Sequence, residues 1–181
     1  MKLDNYLNGL FLLAFVAVAI YSQITEIQKR ADEPIKTVVV KSNPEQKYQA
    51  WQLRSIDDSD RLTLARNGEE IEVAFCGIKA PEKQHKLTIE ARDRLRNLID
   101  KGDGSTIYIT PVEQDTQGHI IAELFVYTGN RNAVFLNSQM VSRGYAWHDE
   151  KHSSNCPSRR GLVIAERIAK DKKLGVWKSD R

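Results

Sequence analysis

The sequence predicts a mainly β domain with helices, in which a small curled sheet, largely closed on itself, lies behind an apolar N-terminal helix. Three observations predict it. Glu69 to Ile78 alternates polar and apolar residues through Ile71, Val73 and Phe75, as a half-buried strand does. Leu87 to Ile99 instead places Leu87, Ala91, Leu95, Leu98 and Ile99 at helical intervals. Leu10 to Tyr21 carries neither charge nor proline. A sheet that must bury one face, followed by amphipathic helices, packs as strands curled against helices.

Taken in order, residues 1–24 form the apolar segment. From Leu7 to Ile24 it reaches the short limit for crossing a bilayer, about 17–25 residues. It also has the length of a secretory signal core, and Ala17-Val18-Ala19 offers a small-x-small cleavage site. The weakly basic leader, with Lys2 offset by Asp4, favours an uncleaved single-pass anchor through residues 7–24 over a cleaved signal. Lys29 and Arg30 on one side and Lys2 on the other leave its orientation open. Residues 25–49 are polar, with Pro34 and Pro44, and read as a linker with a possible short strand at Thr37–Val40.

Residues 50–178 form the domain. Trp51 to Leu64 reads as two strand pieces about an Asp57-Asp58-Ser59-Asp60 turn. Asn67-Gly68 marks a hairpin. Pro81 ends the next strand, and Thr88 is a candidate helix cap. Thr106–Val112 and Ile120–Tyr127 are strands about a Gln114–His119 turn. Val134–Arg143 is a short helix ended by Gly144, and Leu162–Leu174 is a basic amphipathic helix.

Among 181 residues the net charge is only +3, which permits a polyanionic partner without requiring one. The two cysteines, Cys76 and Cys156, form no C-x-x-C pair, which argues against a zinc site. They are either two buried thiols or one disulfide of an oxidising compartment. Asp58, Asp60 and Glu82 are three carboxylates that adjacent strands could bring to one end of the sheet.

Five pieces, in order, resemble the staphylococcal nuclease (thermonuclease-like) family. They are Asp58-x-Asp60, Gly77-Ile78-x-Ala80-Pro81-Glu82, Asp115-x-x-Gly118, Asn137-x-x-x-Val141-x-x-Gly144-x-Ala146, and Ala165-Glu166-x-x-Ala169 leading to Gly175-Val176-Trp177. The resemblance covers about Trp51 to Trp177. It implies a five-stranded oligonucleotide/oligosaccharide-binding barrel with three helices and calcium-dependent hydrolysis of DNA and RNA phosphodiesters. It assigns Glu82 as general base, Asp60 and Asp58 to the metal, and the backbone carbonyl of Ala80 as a further calcium ligand. In the implied fold the regions of Cys76 and Cys156 could approach, which suggests a Cys76–Cys156 disulfide.

Other positions depart from the family pattern. Lys79 stands at a metal-binding aspartate, Ala74 and His119 at two catalytic arginines, and Gln117 at a phosphate-contacting tyrosine. An ammonium at Lys79 repels a divalent cation, although it could contact phosphate. His119 replaces a guanidinium only when protonated. Against these roles stand plainer ones. Asp58 and Asp60 suit a turn, Glu82 could bond backbone amides, and His119 and Lys79 could be solvent-facing. Lys170, Lys172 and Lys173 could be a solvated helix face, and Trp147, His148 and His152 either stacking surfaces or core. The sequence thus supports a membrane-bound nuclease with weakened chemistry, its domain extracytoplasmic or, if the leader is cleaved, secreted. The alternative is a catalytically silent module binding nucleic acid or a protein partner.

Overall fold

The computed structural model describes residues 48–82, 85–129 and 132–178. The expected N-terminal helix at 1–24 and the strand at 37–40 lie outside these residues. Among the described residues no helix is long and apolar enough to cross a membrane.

Five strands close a barrel: β1 (Gln49–Asp58), β2 (Arg61–Arg66), β3 (Glu69–Phe75), then β5 (Thr106–Gln114) and β6 (Ile120–Tyr127). The order is β3-β2-β1-β5-β6, and a parallel pairing of β3 with β6 shuts the seam. A short β7 (Ala133–Phe135) pairs with the far half of β6. Two turns set the register that matters. Asn67 and Gly68 both have positive φ, so their hairpin pairs Arg66 with Glu69. Ser59 and Asp60 bridge the closing pair Asp58↔Arg61.

Inside and outside alternate as the sequence pattern requires. Leu62 faces Val73 across the β2–β3 ladder, and both are fully buried with Leu64, Ile107, Ile109 and Leu124. Each such side chain contributes roughly 1.5–3 kcal/mol by leaving water. Period two then sends Arg61 and its ladder partner Ala74 to the opposite, outer face.

Three helices cover the barrel: α1 (Thr88–Asp100), α2 (Leu136–Ser142) and α3 (Arg159–Asp171). α1 buries Ala91, Leu95, Leu98 and Ile99, as its spacing predicts. Thr88 is its first residue rather than its cap: Leu87 holds the cap position, and the Thr88 hydroxyl donates instead to the Glu82 carbonyl at 2.7 Å. The expected helix from Val134 begins only at Leu136, because Ala133–Phe135 first extends along β6. α3 starts at Arg159, three residues before Leu162, and stops at Asp171. A two-stranded ribbon, β4 (Ile78–Lys79) with β8 (Trp147–His148), is too short to show periodicity in the sequence.

Gly144 ends α2 at φ +74°. A Cβ there would lie 2.2 Å from the Leu174 carbonyl oxygen, so the chain after α3 passes over it backbone to backbone. Val176 N–H donates to Gly144 O at 2.9 Å and pins that crossing.

Candidate active site

The acidic turn and the Pro-Glu corner meet at one end of the barrel. Ser59 N–H donates to Asp58 Oδ1 at 2.8 Å, so Asp58 stabilises its own turn. Asp60 reaches across to the residue that follows β4: its Oδ2 accepts from Ala80 N–H at 2.7 Å. Its carbonyl accepts from Phe75 N–H at 3.0 Å. Burial pushes the Asp60 carboxyl above its usual range. The Ala80 hydrogen bond opposes this, the Asp58 charge adds to it, and the Arg61 charge opposes it. Glu82, two residues beyond Ala80, is exposed, and its carbonyl accepts from His85 N–H at 2.7 Å, which shapes the loop into α1. Lys79 is exposed and lies opposite half-buried Trp147, whose ring meets His85 edge-on at 6.2 Å.

His119 is more integrated than a solvent-facing turn residue. Its Nδ1 lies 2.8 Å from Asp115 Oδ2 and its Nε2 lies 3.2 Å from Glu72 Oε2, with 18% of the side chain exposed. Asp115 organises this turn by accepting from Gln117 and His119 N–H at 2.9 Å each. Desolvation, the largest single influence, works against ionisation of Asp115. The His119 ring and those two amides outweigh it and hold the carboxyl below its usual range. Arg61 was not singled out from the sequence. Its Nη1 stands 3.1 Å from His119 Nδ1 and 3.8 Å from Glu72 Oε2. Only the Asn67-Gly68 hairpin, which fixes the β2–β3 register and so pairs Arg61 with Ala74, could have pointed to it.

Calcium takes six to eight oxygen ligands. The protein offers Asp58, already engaged by Ser59 N–H, Asp60, and the carbonyl of Ala80, with Lys79 at the remaining position. Among the described residues no three His, Cys, Asp or Glu side chains converge as a metal group. This donor set does not fit a calcium ion held by the protein alone.

Behind the site two buried polar side chains have their hydrogen bonds met. Asn137 is fully buried. Its Oδ1 accepts from Leu124 N–H at 3.0 Å, and its Nδ2 donates to Cys76 O at 3.0 Å. Glu123, also buried and unsuspected on an apolar strand, accepts from the Ser158 N–H and, at 3.0 Å, from its hydroxyl. It thereby caps α3. Cys76 and Cys156 are joined in a disulfide with Cα atoms 5.9 Å apart. Gly77 adjoins it at φ +70°, where a Cβ would lie 2.7 Å from Leu162 Cδ1.

The site is thus the end of a small barrel that carries exposed and half-buried acids beside a guanidinium–imidazole pair. The chain belongs to the staphylococcal nuclease family: the model described as staphylococcal nuclease homologue matches residues 72–179. It is 26% identical over 161 residues to a probable staphylococcal-like nuclease, CAN1, of Oryza sativa subsp. japonica, covering 86% of this chain and 44% of that protein. It is also 26% identical over 124 residues to a micrococcal nuclease of Shigella flexneri, covering 66% of this chain and 68% of that protein. The chain thus spans less than half the length of the rice relative.

Proposed function

We propose that the chain is a nuclease acting on DNA or RNA phosphodiesters, with Glu82 as general base and the outer face of the barrel end as the strand's seat. The observation that carries this reading is the 2.7 Å bond between Asp60 and Ala80 N–H, which ties the acidic turn to the corner carrying Glu82. The Glu82 carboxylate takes a proton from the water that attacks phosphorus, and the P–O bond to the leaving oxygen breaks. Lys79 and His119 contact the phosphate. Calcium dependence is the family expectation. The donor set here argues for weak or altered ion use, so the ion is an assay variable.

The chain is held at a membrane by residues 7–24 with its domain on the extracytoplasmic side, or secreted if the leader is cleaved near Ala19. A disulfide supports an oxidising compartment. Intact mass of the mature chain separates anchor from cleaved leader.

A second reading, a silent module that binds nucleic acid or a protein, is favoured by Lys79 and the thin donor set. Incubation with single-stranded DNA and RNA in Ca²⁺, Mg²⁺, Mn²⁺ or chelator decides between them. Ion-dependent cleavage that Glu82→Gln abolishes supports the nuclease, and cleavage unchanged by Glu82→Gln assigns the activity elsewhere.

A further inference from the structure

The family pattern wants a guanidinium at position 74, where this chain has alanine. The β2–β3 ladder offers one from the neighbouring strand. Arg61 and Ala74 are direct register partners on the outer face, and such partners have Cβ atoms about 5 Å apart, well within the reach of an arginine. We propose that Arg61 is the phosphate-binding arginine of this site, its guanidinium delivered across the ladder from β2 instead of β3. This rests on the nucleic-acid reading above and adds a residue to it.

Three observations converge on Arg61. Its guanidinium meets His119, the residue at the second arginine position, at 3.1 Å, so the two groups form one cluster drawn from β2 and from the turn entering β6. The side chain is 37% exposed, and its ion pair with Glu72 is 3.8 Å long, beyond a good hydrogen bond, which leaves the donor fork accessible to an anion. Arg61 follows Asp60 directly and pairs with Asp58 across the turn, so it leaves the barrel at the same end as the acidic residues. The local chain explains the exchange. A two-residue turn after Asp58 makes Arg61 the first residue of β2, and ladder pairing then puts it beside Ala74. The ligand class is the phosphodiester of a single strand, for which planar bidentate donors are suited.

The test is binding of a labelled single-stranded DNA octamer to the full chain in the Glu82→Gln background, followed by fluorescence anisotropy across a salt series. Arg61→Ala is expected to weaken binding about tenfold and to reduce the salt slope by about one phosphate contact. Adding Ala74→Arg to Arg61→Ala returns the guanidinium to the other strand and is expected to restore affinity to within about threefold. Arg61→Lys restores only part, because it lacks the fork. Thermal melts confirm that each variant is folded. Wild-type affinity in folded Arg61→Ala overturns the proposal, as does a loss that Ala74→Arg leaves unrepaired or an absence of binding by the parent at low salt. Arg61-dependent binding in a chain that never cleaves sinks the nuclease reading and leaves this one standing. Cleavage and binding both indifferent to Arg61→Ala do the reverse.

Discussion

Within a few residues the same strand exit is built in two different ways. From Phe75 to Gly77 the chain is fixed on every side: Cys76 is bonded to Cys156, its carbonyl accepts from Asn137, its N–H donates to Ala122 O at 2.7 Å, and Gly77 leaves no room for a methyl. From Lys79 to Glu82 it is open: two of the four side chains are exposed, and the stretch is held by its backbone, at Ala80 N–H by Asp60 and at the Glu82 carbonyl by His85 and Thr88. The rigid half holds the open half in place. A carboxylate that must meet a substrate cannot itself be saturated, so its position has to come from the backbone behind it.

That contrast can be broken from the rigid side first. The disulfide closes a loop with a sequence separation of 80, and loop entropy alone makes it worth about 4–5 kcal/mol. Cys76→Ser with Cys156→Ser should lose that much in a urea melt, with the largest fall in Tm of the series. Asn137→Leu strands Leu124 N–H and Cys76 O without their partner, and should cost about 3 kcal/mol in the same melt.

The effect of Glu123→Gln should depend on pH. Burial raises the Glu123 carboxyl and the Ser158 hydrogen bonds only partly offset this, so the folded protein binds that proton more tightly than the unfolded chain. Its contribution is fully present below the ordinary value of 4.5 and is lost as pH rises through the raised folded value. A glutamine keeps an acceptor for the Ser158 N–H and a donor for its hydroxyl. The variant should therefore melt above wild type at pH 7 and level with it near about pH 3.5. The smallest stability effect belongs to the open side. Glu82→Gln should shift stability by no more than about 0.5 kcal/mol, yet lower any cleavage rate by roughly 10²-fold or more.

How much was legible follows the same division. The barrel strands and α1 were readable because period-2 and helical patterns record burial directly, as at Val73, Phe75 and Leu95. The Cys76–Cys156 pairing followed only from the resemblance, since spacing alone left two free thiols equally open. Glu123 escaped notice because an acid on an apolar strand gives no hint of the helix end it will cap 35 residues later. Arg61 escaped because its meaning lies in a cross-strand partner, and register is set by a turn whose length the sequence shows but whose consequence for position 74 it does not. Asp58 and Asp60 differ in the same way. Both are turn residues by sequence, but only Asp60 reaches a second strand.

The seam between β3 and β6 joins only Val73, Ala74 and Phe75 to Ile120, Ile121 and Ala122, the shortest pairing in the barrel. Short ladders are where amides exchange through partial opening rather than global unfolding. His119 lies on one side of this seam, and Arg61, Glu72 and Ala74 on the other. An excursion that unzips it would pull the guanidinium from the imidazole while the disulfide kept the strand exit tethered to α3. A strand whose phosphate touches both would act as a clasp, so the tightness of the ligand and the local opening of the seam would become one quantity.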